Sequence, residues 1–193
     1  MATSRTLARS LGARVRVPNG LHLALIGLPG AGKSTVARLV GARLARQSID
    51  FDEEIERLEG RTISQIFSDR GEQHFRDLEA QFTASLRDIP AAILSPGGGW
   101  VTRQETVATL RPRTKLVWLR VSPKAALTRL GGNRIDRPLL MKGDPESVLT
   151  DLLTERRALY EASDAALDTE VLTLHEVVSQ VAQLATFWDT RVG

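Results

Sequence analysis

From residue 21 onward, short apolar runs alternate with stretches of helical spacing. The runs are "LHLALIG" (21–27), "SID" (48–50), "AAILS" (91–95), "TKLVWLRV" (114–121) and "AALDT" (165–169). Short apolar runs alternating with helical patterns are what a doubly wound parallel sheet requires. Between them, Val36, Leu39, Val40 and Leu44, then Ile63, Ile66 and Phe67, then Phe75, Leu78, Phe82 and Leu86 recur at i, i+3, i+4, which predicts helices with one buried stripe. "DPESVLTDLLTERRALYEASD" opens on an acid, a proline and a glutamate, a helix start signal, and the last helix is predicted from Thr173 to Trp188. Strands alternating with helices predict an α/β fold: a three-layer α/β/α domain on a five-stranded parallel sheet, spanning residues 21–193.

Two segments fall outside that alternation. "LGGNRIDRPLLMKGDP", between Leu130 and Pro145, is rich in Gly, Pro and charge without sustained periodicity. It reads as a loop over about 131–144, long enough to require a function. The opening "MATSRTLARSLGARVRVPNG" is acid-free, carries Arg5, Arg9, Arg14 and Arg16, and spaces Leu7, Leu11 and Val15 as a helix would. Two readings stand for residues 1–20: a short transit peptide, or a disordered extension ending at Pro-Asn-Gly, the second favoured because the segment is short for a presequence.

Composition narrows the class. A chain of 193 residues with 42% apolar residues is most economically one domain. No apolar run approaches the length of a membrane span, so a soluble protein with no membrane partner is expected, and a cytoplasmic one on the absence of cysteine. The absence of cysteine excludes disulfides, thiolate metal sites and cysteine nucleophiles. A net charge of +3 hints at nucleic acid, but setting aside the four arginines of the opening leaves 22 of 26 basic residues against 23 acidic ones. The body is near neutral, and no nucleic-acid partner is expected.

"GLPGAGKST", Gly27 to Thr35, follows the first apolar run and precedes a helical pattern. Gly27-x-x-x-x-Gly32-Lys33-Ser34 is the P-loop pattern in its required strand-loop-helix context. Backbone N–H groups from Gly30, Ala31, Gly32 and onward to Thr35 would form an anion-binding nest reinforced by the helix N-terminus. Lys33 would bridge the β- and γ-phosphates, and Ser34 would give a hard oxygen to Mg²⁺. A base-selective GTPase needs an Asn-Lys-x-Asp-like element, and the only asparagines, Asn19 and Asn133, are not in one.

The acceptor half is less specific residue by residue. In "IDFDEEIE", Asp50 and Asp52 alternate across a strand end, which would present one carboxylate to the metal and the other to an acceptor hydroxyl. The alternative is a helix N-terminus, with Asp52 as N-cap and Glu53 and Glu54 in the first turn. Arg76 and Glu79 in "GEQHFRDLE" have the spacing of an i, i+3 surface pair. Gly97, Gly98 and Gly99 follow the third apolar run, at the strand end where doubly wound sheets bind ligands, and permit close backbone approach.

"GLPGAGKST", "IDFDEEIE", "FRDLE", "PGGG", "RPLL" and "ERRALY", in this order and spacing over about residues 21–185, resemble the shikimate kinases. The resemblance implies a P-loop fold with a mobile lid over about 131–144, ATP and shikimate as substrates, Mg²⁺ as cofactor, and a monomer. It implies that Asp52 holds the acceptor hydroxyls and serves as base, and that Asp50 supports Mg²⁺ beside Ser34. Arg76 and Arg156 would grip the substrate carboxylate, with Gly97, Gly98 and Gly99 closing around the ring. Arg137 would reach the transferring phosphates from the lid, and Arg129 would lie near the adenine. Lys33, Asp52 and Arg137 are thus the expected catalytic residues. Pro96 and Trp100 replace the Thr and small residue of many members, so the indole is expected to reshape the acceptor pocket. No polar adenine contact is evident around Leu172 and Thr173. A related gluconate-type kinase and a non-catalytic shikimate-kinase-like effector domain are the competing readings. The paired arginines with "PGGG" favour shikimate. The presence of Lys33, Asp50, Asp52 and Arg137 argues against a silent domain.

Overall fold

The structure, a computed structural model, describes residues 20–131 and 143–191. The first 19 residues and positions 132–142, including Arg137 and most of the predicted lid, lie outside the described residues.

Five parallel strands form one sheet: β1 (His22–Ile26), β2 (Ser48–Asp50), β3 (Ile93–Ser95), β4 (Thr114–Arg120) and β5 (Ala165–Asp168), in the order β2-β3-β1-β4-β5. Every predicted strand is present. β1 is buried along its whole length, and its side chains divide by the two-residue period of a strand. Leu23 and Leu25 enter one core and Ala24 and Ile26 the other. In β4, Val117 and Leu119 join the first core and Leu116 and Trp118 the second, so the sheet separates two apolar layers.

The helices occupy both faces. On the first lie α1 (Lys33–Leu44), α5 (Pro123–Leu130) and α7 (Leu174–Asp189), while α2 (Phe51–Glu59), α3 (Ile63–Ser85) and α4 (Gln104–Leu110) cover the second. Helix α6 (Pro145–Glu161) gives Leu149 and Leu152 to the first core and Tyr160 to the second. Asp144 caps α6 by accepting from Ser147 N at 2.9 Å, and Thr173 and Glu176 form a capping box on α7. Both starts coincide with the sequence signals. Helix α3 joins two predicted helical patterns across a break at Gly71, where φ is 80°. All strands run the same way, so their C-terminal ends share one edge, to which the P-loop, Asp50, Ser95 and the glycine loop are attached.

Candidate active site

The P-loop leaves β1 at Gly27 and enters α1 at Lys33. Its N-cap, Gly32, has φ 88° and no side chain with which to cap the helix, so the first N–H groups stay available to an anion. Lys33 is buried, and its Nζ donates to Gly27 O and Leu28 O at 3.1 Å each, folding the lysine back along the loop. Ser34 Oγ lies 3.4 Å from the buried Ser95 Oγ. Ser95 is in register with Asp50 on the neighbouring strand, so Ser34, Ser95 and Asp50 gather at adjacent strand ends. Ser95 escaped the sequence reading because only strand pairing brings it to the P-loop.

A cleft of about 490 Å³ opens along this loop, lined by residues 30–36, Arg129, Leu130, Thr169, Leu172, Leu174 and Val177. All the described ATP-site candidates therefore share one cleft. Arg129 is pinned there by donating to Thr169 Oγ1 at 2.7 Å and to Thr169 O at 2.5 Å. Leu172, Leu174 and Val177 make the far wall apolar, a surface suited to the face of a base.

The acceptor candidates converge on the glycine loop. A Cβ on Gly97 would come within 2.9 Å of Glu79 Oε1 and 3.3 Å of Asp52 Oδ1. One on Gly98 would lie 3.2 Å from Pro29 Cδ of the P-loop and 3.5 Å from Arg156 Nη1, and one on Gly99 would fall on the Arg76 guanidinium. Residues far apart in sequence thus meet over three consecutive glycines, with the P-loop as the opposite wall.

Two expectations are corrected. The N-cap of α2 is Asp50, not Asp52: Asp50 Oδ1 accepts from Asp52 N at 3.0 Å and Glu53 N at 3.4 Å, and Asp52 stands in the first turn. Strand β2 passes into the helix at Phe51, one residue before the cap that the charge pattern suggested. Arg76 and Glu79 are not a surface pair. Arg76 is 9% exposed and Glu79 2% exposed, joined at 2.5 Å, with Glu72 also accepting from Arg76 at 3.1 Å. Trp100, beside the glycine loop, is buried in the second core at 1% exposure.

The electrostatics follow from that burial. Desolvation raises the Glu79 carboxyl above its ordinary value, against the pull of the Arg76 charge. Burial opposes the Arg76 charge as well, but Glu79 and Glu72 more than offset it and hold the guanidinium above its usual range. Glu79 Oε1 and Arg156 Nε are buried without a hydrogen-bond partner, an arrangement that a bound polar ligand can relieve. Tyr160, which the sequence reading also left out, donates from its hydroxyl to Gly98 O at 3.1 Å and ties α6, the helix of Arg156, to the loop.

The shikimate kinase family model matches residues 29–186. The chain belongs to the shikimate kinase family. A shikimate kinase from Nitrobacter winogradskyi is 39% identical over 161 residues, 83% of this chain and 75% of its own length. One from Chromohalobacter salexigens is 40% identical over 158 residues, 81% of this chain and 87% of its own. The structure of Acinetobacter baumannii shikimate kinase in complex with shikimate matches with a TM-score of 0.82 at 33% identity, covering 88% of this chain and 95% of that one. The parallel sheet and P-loop expected from the sequence are those of this family, and among the described residues no helix is long and apolar enough to cross a membrane.

Proposed function

We propose that the protein transfers the γ-phosphate of ATP to the 3-hydroxyl of shikimate, giving shikimate 3-phosphate and ADP. The observation that carries this reading is the convergence of Asp52, Arg76 and Arg156 on the Gly97–Gly99 loop, within contact of the P-loop at Pro29. A small hydroxylated carboxylic acid placed there has two guanidinium groups for its carboxylate and one carboxylate for its hydroxyls, beside the phosphate donor. Arg suits the first task because its planar fork meets a carboxylate bidentately.

Phosphoryl transfer depends on positioning and charge neutralisation. The acceptor oxygen bonds to the γ-phosphorus as the bond to the β–γ bridging oxygen breaks. ADP leaves with that electron pair, and Asp52 takes the hydroxyl proton. Lys33 moves from the loop carbonyls to the β- and γ-phosphates, and Arg129 borders the base. Arg137, outside the described residues, is assigned to the transferring phosphates. The hydroxyls of Ser34 and Ser95 and the Asp50 carboxylate form a hard-oxygen set that fits Mg²⁺. When bound, Mg²⁺ neutralises charge on the phosphates.

A coupled assay of ADP release with ATP and Mg²⁺, comparing shikimate, gluconate and no acceptor, tests the proposal. ADP release that depends on shikimate is expected. Equal release without acceptor, or release with gluconate alone, would refute it.

A further inference from the structure

Behind the acceptor half of the site lies a residue that connects three of its segments from the core. Trp100 follows the glycine loop and closes it, its backbone N–H donating to Gly97 O at 3.0 Å. Its indole Nε1–H donates to Thr83 Oγ1 at 3.0 Å, and Thr83 Oγ1 donates in turn to Glu79 O at 2.7 Å. That carbonyl belongs to the residue whose carboxylate holds Arg76. On another side the indole meets the Phe51 ring edge-on, with centroids 6.1 Å apart, and Phe51 immediately precedes Asp52. The indole therefore links the glycine loop, the Arg76 helix and the start of the Asp52 helix.

We propose that Trp100 and Thr83 act as an internal brace that sets the spacing of the acceptor-binding groups, as positioning residues that touch neither substrate. This rests on the reading of the site as a shikimate site. Trp100 is 1% exposed and Thr83 0%, so water cannot replace their hydrogen bond. The Thr83 hydroxyl accepts from the indole and donates to the helix carbonyl, so one atom serves both connections. Without it, the indole N–H is buried and unpaired. The chain relieves that cost by shifting the glycine loop away from α3, or α3 away from the loop. Either shift changes the fit of Gly99 over Arg76, where there is no slack. The P-loop meets the glycine loop at Gly98, where a Cβ would lie 3.2 Å from Pro29 Cδ, but none of the hydrogen bonds of Trp100 and Thr83 reaches the P-loop.

Thr83→Val is the direct test, since it keeps the shape of the side chain and removes only the hydroxyl. The KM for shikimate is expected to rise about 10-fold, the cost of one unpaired buried donor, while the KM for ATP stays within about twofold. Thr83→Ser restores the hydroxyl and is expected to bring the shikimate KM back to within about twofold of the parent. Val181→Ala, in the core on the opposite face of the sheet, controls for stability: it lowers Tm without moving the shikimate KM. The brace is overturned if Thr83→Val lowers only Tm, if it raises both KM values in parallel, or if Val181→Ala raises the shikimate KM equally. If the parent chain itself does not phosphorylate shikimate, the proposed function fails and the brace falls with it. A parent active on shikimate with an unmoved KM in Thr83→Val refutes the brace alone.

Discussion

Gly99→Ala adds one methyl group to the protein and directs it at one side chain. Gly99 sits at φ −92° and ψ −7°, a region open to alanine, so the backbone is not strained. An ideal Cβ there lies 2.7 Å from Arg76 Cζ and 2.8 Å from Arg76 Nη1, well inside van der Waals contact. Something must move. The loop is held by the bonds from Trp100 N to Gly97 O and from Tyr160 to Gly98 O, whereas the guanidinium is the far end of a flexible side chain. Arg76 therefore leaves its place. Its departure removes the ion pair with Glu79 and the charge-assisted bond assigned to the substrate carboxylate. Such bonds contribute about 1.5–3 kcal/mol, so the KM for shikimate is expected to rise about 10- to 150-fold, with the KM for ATP little changed. Steady-state kinetics in both substrates measure this directly. A double-mutant cycle locates the cause: in an Arg76→Ala background the same substitution is expected to add less than about twofold, because the clash has lost its partner. A shikimate KM within twofold of the parent in Gly99→Ala, or an undiminished effect in the Arg76→Ala background, would refute the argument.

Two further outcomes are expected. Asp52→Asn should lower kcat by about 10²- to 10⁴-fold while the ATP dissociation constant, measured by calorimetry, stays unchanged; retained turnover would remove Asp52 from the base role. His22 is fully buried, its Nδ1 accepts from Ala92 N at 3.1 Å, and burial followed by the Arg113 charge lowers its pKa from 6.5 to about 4. The folded state then binds fewer protons than the unfolded state between these values. Stability is thus full above the unfolded pKa and falls as pH drops through that window, by about 2 kcal/mol between pH 7 and pH 5. Denaturant unfolding at the two pH values should show this extra loss in the parent and not in His22→Gln. An equal pH dependence in both would refute it.

The donor site was legible in the sequence because it is local. A strand, a glycine turn and a helix start lie within about fifteen consecutive residues, and the anion nest is built from their own backbone. The strands were legible for a related reason: short apolar runs alternating with helical patterns mark a doubly wound parallel sheet. Even the break in α3 left a trace, as two separate helical patterns either side of Gly71.

The acceptor side resisted the same treatment. A spacing of three on a helix is identical for a surface pair and for a buried one, and Arg76 with Glu79 became buried only because the glycine loop folds over them. "DFD" allows a cap at either aspartate until the backbone turn is fixed, and the turn came at Phe51. For Trp100 the sequence showed only a bulky indole beside the triple glycine, and its neighbours in space, Phe51 and Thr83, put it in the core.

The sequence by itself determined the elements, the phosphate loop and the set of chemical groups available to an acceptor, because these depend on local periodicity, backbone freedom and residue type. Only the tertiary structure decided which groups face the site, which are paired and which lie behind it. Burial and hydrogen bonding are properties of segments distant in sequence that the parallel sheet brings to one edge.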